Sequence, residues 1–154
     1  MFVRTVLDDI APEKLGVCYA HEHIIIDSGY PTQQNPDFQI DSVENAAKEL
    51  TDFHRAGGLA MIDTMPCNCG RNVFKLAEVS RRTGVHIACP TGLHLQKYYP
   101  PGHWSGSIAE NELSALFVAE IERGIDERDC VVPRVTPGPH RAGVIKVAGG
   151  RDKL

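Results

Sequence analysis

Short apolar segments alternate with amphipathic helical segments along this chain, and that alternation limits its fold more than any single motif does. In the helical segments apolar side chains recur every three or four residues, the spacing of a helix packed on one side. Strands that are joined through helices favour right-handed crossovers and a parallel sheet. The predicted order is β-α-β-α-β-α-β, with strands at 16–23, 59–65, 85–92 and 142–150 and helices at 41–58, 72–84 and 110–125.

The ends of the predicted helices carry recognisable signals. Asp41 is predicted to cap the first helix, because Glu44 follows it at the spacing of a capping box. Gly84 stands where a glycine commonly ends a helix. Residues 126–141 contain three prolines and are expected to form a loop.

Composition indicates an ordinary soluble protein and argues against some partners. The 154 residues are 42% hydrophobic and 23% charged, and the formal net charge of -4 gives no reason to expect nucleic acid or an anionic membrane as partner. No apolar run approaches the roughly 20 residues of a spanning helix, and acidic residues interrupt the N-terminal segment where an export signal would be apolar. Five scattered cysteines, an odd number, favour free thiols and a cytoplasmic protein.

Polar residues stand at or near the carboxyl ends of the predicted strands, where parallel βα proteins form active sites. His21 and His23 are two residues apart, so their side chains share one face and are suited to bind one divalent metal. Lys146 lies between apolar neighbours, and a buried lysine needs a partner or a changed protonation state. An isolated His-x-His pair is often incidental, however, and a strand lysine often reaches solvent from a sheet edge. Both interpretations stay open on the residues alone.

Four segments together resemble the phosphotriesterase family of the amidohydrolase superfamily: "HEH" after the first strand, "GLAMIDTMPCNCGRN", "TGVHIACPTGLHLQKYYP" and "RAGVIKVA". The resemblance runs in order along nearly the whole chain. It implies an α/β fold of the (β/α)8 TIM-barrel type. A full barrel takes about 250 residues, so residues 1–154 are expected to form one truncated domain, a half barrel of about the first four βα units.

The resemblance also implies a metal centre with two ions, commonly zinc. In that pattern His21 and His23 match a pair that holds one metal, and Lys146 matches a metal-binding, catalytic lysine whose carbamate bridges both ions. A metal-bound hydroxide would then attack a small-molecule phosphotriester, ester or lactone. Two further histidines and an aspartate of the family pattern have no match in this chain. We therefore expect at most one ion to be held well and hydrolysis to be impaired.

Other residues receive less definite roles. Tyr98 and Tyr99 follow the third strand, where either substrate contact or a plain aromatic plug of the loop fits the sequence. Asp63 ends the second strand, where it would orient a ligand histidine through a hydrogen bond or contact the start of a helix. The alternative function is a non-catalytic half barrel that binds metal or self-associates as a homo-oligomer, because open sheet edges and exposed apolar surface favour association.

Overall fold

The computed structural model describes residues 1–148, and parallel strands form its centre. The order of the long elements confirms the predicted alternation, whereas the β1–β2 hairpin and the short helix α1 were not predicted. Two residues of the strand predicted at 142–150 lie outside the described residues. The strands are β1 (Val3–Arg4), β2 (Asp9–Ile10), β3 (Cys18–Glu22), β4 (Ala60–Asp63), β5 (His86–Ala88), β6 (Pro90–Leu93) and β7 (Val144–Val147). The helices are α1 (Tyr30–Gln34), α2 (Val43–Arg55), α3 (Val73–Thr83) and α4 (Glu110–Glu122).

The third predicted strand changes its pairing partner halfway along. β3 pairs with β4 and β4 with β5, whereas β6 pairs with β7, and all three pairings are parallel. Only Cys89 separates β5 from β6, and its carbonyl accepts a hydrogen bond from the N–H of Gly143 at 2.9 Å. The chain therefore bends at Cys89 and moves from the edge of β4 to the edge of β7. Within residues 1–148 these strands form a curved, open half of a barrel.

The helix α2 begins one residue later than the sequence indicates. The Ser42 hydroxyl accepts the N–H of Asn45 at 3.2 Å, as an N-cap side chain does. The prediction that Asp41 caps this helix is wrong, because the Asp41 carboxylate accepts a hydrogen bond from Gln39 Nε2 at 2.8 Å. At the end of α3 the prediction is confirmed: Gly84 adopts a φ of +73°, a left-handed conformation that glycine reaches without strain.

The main core packs parallel strands against α2 and α3, while the outer strands stay open. On β7, Ile145 and Val147 are 51% and 57% exposed, and Val17 and Tyr19 at β3 are 66% and 53% exposed. Apolar side chains left in water forgo roughly 25 cal/mol for each Å² that could be buried, so these two edges are the natural places for further packing. The fully buried members of the core include Val6, Ile25, Leu76, Val79, Val85, Ile87 and Ile125.

The loop predicted at 126–141 is a loop in the structure. Its ends are held by an isolated bridge between Asp126 and Pro137 and by the Asp126 carboxylate, which accepts backbone N–H groups of Arg128, Cys130 and Thr136. Among residues 1–148, each helix is too short or too polar to cross a membrane.

Candidate functional site

Two histidine rings lie next to each other at the carboxyl end of β3. The ring centroids of His21 and His23 are 5.9 Å apart and the rings are nearly perpendicular; His21 is exposed and His23 half-buried. The strand end is fixed because Thr64 donates to the Glu22 carbonyl twice, from its N–H at 2.8 Å and from its hydroxyl at 2.9 Å. The two rings are therefore neighbours, as the spacing predicts, and their role as metal ligands stays a prediction.

Lys146 lies on β7 directly opposite Gly92 on β6. Gly92 has a φ of +124°, and a Cβ atom at this position would overlap the carbonyl oxygen of Lys146. Only glycine therefore lets the two strands approach this closely. Burial lowers the pKa of Lys146, although Cys69 and Asp63 favour its charged form. At a given pH, a larger fraction of this amine is therefore neutral than in an exposed lysine.

The His23 imidazole is influenced by the charge of Lys146. Burial lowers the pKa of His23, and the charges of Lys146 and His21 lower it further. Nδ1 of His23 is buried and has no hydrogen-bond partner among residues 1–148, while Nε2 lies 3.5 Å from the Thr64 hydroxyl. A buried ring nitrogen without a partner is unusual, and a neutral imidazole nitrogen is a common metal ligand. The residues present therefore fit one divalent cation, which two imidazoles and Lys146 would share.

A second group of potential ligand atoms does not include the histidines. Cys67, Glu120 and Cys130 are buried and bring their ligand atoms within 4.8 Å of one another. The Glu120 carboxylate, however, accepts two hydrogen bonds from the Arg71 guanidinium at 2.8 and 2.9 Å, and both thiols donate to it as well. Because the guanidinium already supplies the positive charge, we interpret this group as a structural ion pair.

A cavity of about 210 Å³ adjoins His23 beside the predicted substrate loop. Tyr98 lines it, whereas Tyr99 is only 3% exposed and its hydroxyl is used within the fold. That hydroxyl donates to the Cys67 carbonyl at 3.1 Å and accepts the N–H of His94 at 2.8 Å. Tyr99 thus holds the loop in place, and substrate contact by Tyr98 or Tyr99 stays a prediction. The cavity is lined by His23, Ile26, Pro31, Phe38, Met65, Cys69, His94 and Tyr98.

Asp63 is fully buried at the end of β4. Its carboxylate accepts the N–H groups of Ile24 and Met65, both at 2.9 Å. Burial raises the pKa of Asp63 to about 6, although these backbone donors oppose the shift. Among the described residues its hydrogen bonds therefore fix the backbone that follows His23 rather than a histidine ring, and a role in orienting His23 stays a prediction.

His94 belongs to this region although sequence analysis assigned it no role. It lines the cavity together with His23. Burial lowers the pKa of His94 to about 4, and the charges of Lys146 and His23 contribute. A usable signal was present, since His94 stands two residues after Gly92 at the end of the third strand. His21 and His23 stand at the same kind of position, the end of the first predicted strand.

Three parallel βα units and a fourth strand, with imidazoles at strand ends and a lysine in the last strand, have the architecture of part of a TIM-barrel amidohydrolase. Residues 1–138 match the family model named "Phosphotriesterase family", so the chain belongs to the phosphotriesterase family. This assignment confirms the resemblance seen in the sequence. It also confirms the predicted fold, because solved relatives with this barrel superpose on the described half.

Relatives and solved structures match nearly the whole chain. It is 35% identical over 153 residues to a "Phospho-furanose lactonase" of Mycoplasmopsis synoviae, a match that covers 97% of this chain and 43% of that protein. An amidohydrolase structure from Mycoplasma synoviae superposes with a TM-score of 0.87 at 34% identity, covering 94% of this chain and 42% of that one. A lactonase structure from Listeria monocytogenes gives a TM-score of 0.76 at 25% identity, covering 94% and 46%. The chain thus spans less than half the length of these proteins.

Proposed function

We propose that this chain provides part of a metal-dependent hydrolase site that acts on small-molecule lactones or related esters, phosphotriesters included. One observation carries the proposal: the buried Nδ1 of His23 has no partner among residues 1–148 and lies in a region shared with His21 and Lys146. Membership of the phosphotriesterase family supports hydrolysis. The lactonase names of two relatives support a lactone ring as the substrate class.

Each residue has a distinct part in this proposal. His21, His23 and Lys146 would hold the cation, which we expect to be zinc. When bound, a divalent cation acidifies water and polarises the carbonyl or phosphoryl oxygen under attack. Burial favours the neutral amine of Lys146, which is the form that adds to carbon dioxide, loses a proton and becomes a carbamate. Asp63 fixes the backbone behind His23 by its hydrogen bond to the N–H of Ile24.

We expect hydrolysis by the 154-residue chain alone to be slow. The described residues offer two imidazoles and one lysine, half of the six ligands that the family pattern implies, so a single ion at most would be held well. The site would then lack part of the positive charge that lowers the pKa of water. We also propose a cytoplasmic location, which the five free cysteines support.

Zinc content and lactone hydrolysis, measured on the same preparations, test this proposal. Lys146→Met should lower zinc affinity by roughly tenfold or more, as loss of a metal-site residue does. Lys48→Met, on the exposed surface of α2, is the matched control and should retain wild-type zinc. Any hydrolysis should disappear with a chelator and return with zinc. Equal zinc content in all three proteins would contradict a ligand role for Lys146.

A second candidate function is a non-catalytic half barrel that binds metal or self-associates. The open edges favour it, since Ile145 and Val147 on β7 and Tyr19 on β3 are more than half exposed. In addition, a groove of about 740 Å³ lies beside β3 and α2, and its lining mixes polar residues with apolar ones such as Leu50 and Phe53. Zinc binding without turnover, together with dimers in sedimentation velocity, would favour this function over a hydrolase.

A further inference from the structure

The His94 ring is held in one orientation by its neighbours. Its Nδ1 accepts the backbone N–H of Leu95 at 2.7 Å, and its own backbone N–H donates to the Tyr99 hydroxyl at 2.8 Å. The ring also packs edge-on against Tyr98, with centroids 4.1 Å apart. Two contacts therefore orient the ring at the wall of the cavity, and the hydrogen bond to Tyr99 anchors its backbone.

These contacts also determine where the ring carries its hydrogen. A ring nitrogen that accepts a hydrogen bond must keep its lone pair, so Nδ1 of His94 is unprotonated and the hydrogen of the neutral ring is on Nε2. Nε2 of His94 has no hydrogen-bond partner within the described part of the chain, residues 1–148. The side chain therefore presents an unused N–H donor beside the cavity.

Apart from the His23 imidazole and the Tyr98 hydroxyl, the rest of the cavity wall offers little to a polar ligand. Ile26, Pro31, Phe38 and Met65 contribute apolar surface, and Cys69 contributes a buried thiol. A fixed donor in mostly apolar surroundings discriminates between ligands with and without a hydrogen-bond acceptor. A ligand without an acceptor displaces water from the donor and leaves the N–H without a hydrogen bond.

We propose that the Nε2–H of His94 donates a hydrogen bond to an oxygen substituent on the lactone ring, and so selects hydroxylated lactones over unsubstituted ones. The proposal rests on the lactone hydrolase function proposed above and adds a specificity-determining residue to that site. His94 acts on substrate choice here; no proton transfer in the reaction is assigned to it.

The tautomer is tested first, without any ligand. Long-range proton–nitrogen NMR correlations of the 154-residue chain labelled with ¹⁵N-histidine report which nitrogen of His94 carries the hydrogen. We expect the Nε2–H form at pH 7. An Nδ1–H form would remove the donor from the cavity and overturn the proposal, whatever the activity of the protein.

Ligand preference is tested next, by NMR titration with ribono-1,4-lactone and with γ-butyrolactone in buffer containing zinc. The wild-type chain should bind the hydroxylated lactone more tightly, by about 3- to 10-fold, the value of one hydrogen bond. His94→Phe keeps an aromatic ring against Tyr98 and should abolish the preference. His94→Gln restores an N–H donor and should recover part of it.

The outcomes separate this proposal from the proposed function. If both lactones bind and His94→Phe keeps the wild-type preference, the role of His94 is wrong while the lactone site stands. If neither lactone binds the zinc-loaded wild-type chain, the lactone site itself fails and the role of His94 fails with it. Dispersed NMR spectra of both variants establish that they are folded.

Discussion

Two polar regions of this chain differ in whether their buried groups find partners. Around Glu120, buried charges and thiols are bonded to one another. Around His23, a buried nitrogen is left without a partner among residues 1–148 and the pKa of Lys146 is lowered by burial. The first arrangement holds a fold together, and the second is suited to receive a ligand. Whether buried polar groups have partners therefore distinguishes a candidate functional site from a structural cluster in this chain.

The region around Arg71 and Glu120, the closed region, joins three parts of the chain through that arginine. Arg71 and Glu120 have no exposed side-chain surface, and the guanidinium also donates to Asp129 at 2.7 Å and to the Pro90 carbonyl at 2.8 Å. Burial alone would raise the pKa of Glu120, but Arg71 lowers it to about 2. The loop after β4, the start of β6 and the helix α4 are thereby connected through a fully partnered ion pair.

The largest effect is expected from breaking this closed region. Glu120→Gln removes the fully buried one of the two carboxylates that pair with Arg71 and leaves Asp129 as the other; breaking a buried ion pair costs up to about 3–5 kcal/mol of unfolding free energy. Urea unfolding followed by circular dichroism measures it. Glu78→Gln is the control, because Glu78 forms its ion pairs with Arg81 and Arg82 on the surface and should leave stability unchanged. Wild-type stability in Glu120→Gln would mean that the two regions do not differ as described.

A smaller effect is expected at Gly92. This residue lies opposite Lys146, in the region around His23, where β6 and β7 pack closely. Gly92→Ala should lower the unfolding free energy by more than the roughly 1–2 kcal/mol that an alanine at positive φ costs, because its methyl group would meet the Lys146 carbonyl. Gly57→Ala is the matched control, since Gly57 has a φ of +100° and nothing within 4 Å of an added Cβ. Thermal unfolding compares the two variants, and equal losses would show that the β6–β7 contact tolerates a side chain.

The third effect concerns pH. Because burial raises the pKa of Asp63 from 3.8 to about 6, the folded state binds this proton more tightly than the unfolded state does. Its contribution to stability is therefore full below about pH 4 and is lost as the pH rises through 6. The stability of the wild-type chain relative to Asp63→Asn should fall between pH 4 and pH 6. A difference that stays constant over this range, measured by urea unfolding, would contradict the raised pKa.

Sequence patterns predicted the parts of this molecule that depend on local periodicity. Helical spacing located α2, α3 and α4, and the two-residue repeat of a strand placed His21 beside His23. The strands β1 and β2 have two residues each, too few to establish a period. They therefore escaped prediction.

The contacts that separate the two polar regions depend on tertiary structure. Arg71 and Glu120 are 49 residues apart, and nothing near either residue in the sequence indicates the pair. The place of His94 in the cavity likewise depends on the bend at Cys89, where the chain changes its partner strand. Such features emerge only when the strands are set side by side.

We propose that a divalent cation binds at the histidines and Lys146, and that it does not bind at the buried group of Cys67, Glu120 and Cys130. The most direct measurement is a crystal structure of the zinc-soaked chain with anomalous scattering recorded at the zinc edge. We expect one anomalous peak about 2.0–2.1 Å from ring nitrogens of His21 and His23, with the Arg71–Glu120 pair intact. A peak among Cys67, Glu120 and Cys130, with none at the histidines, would contradict the claim.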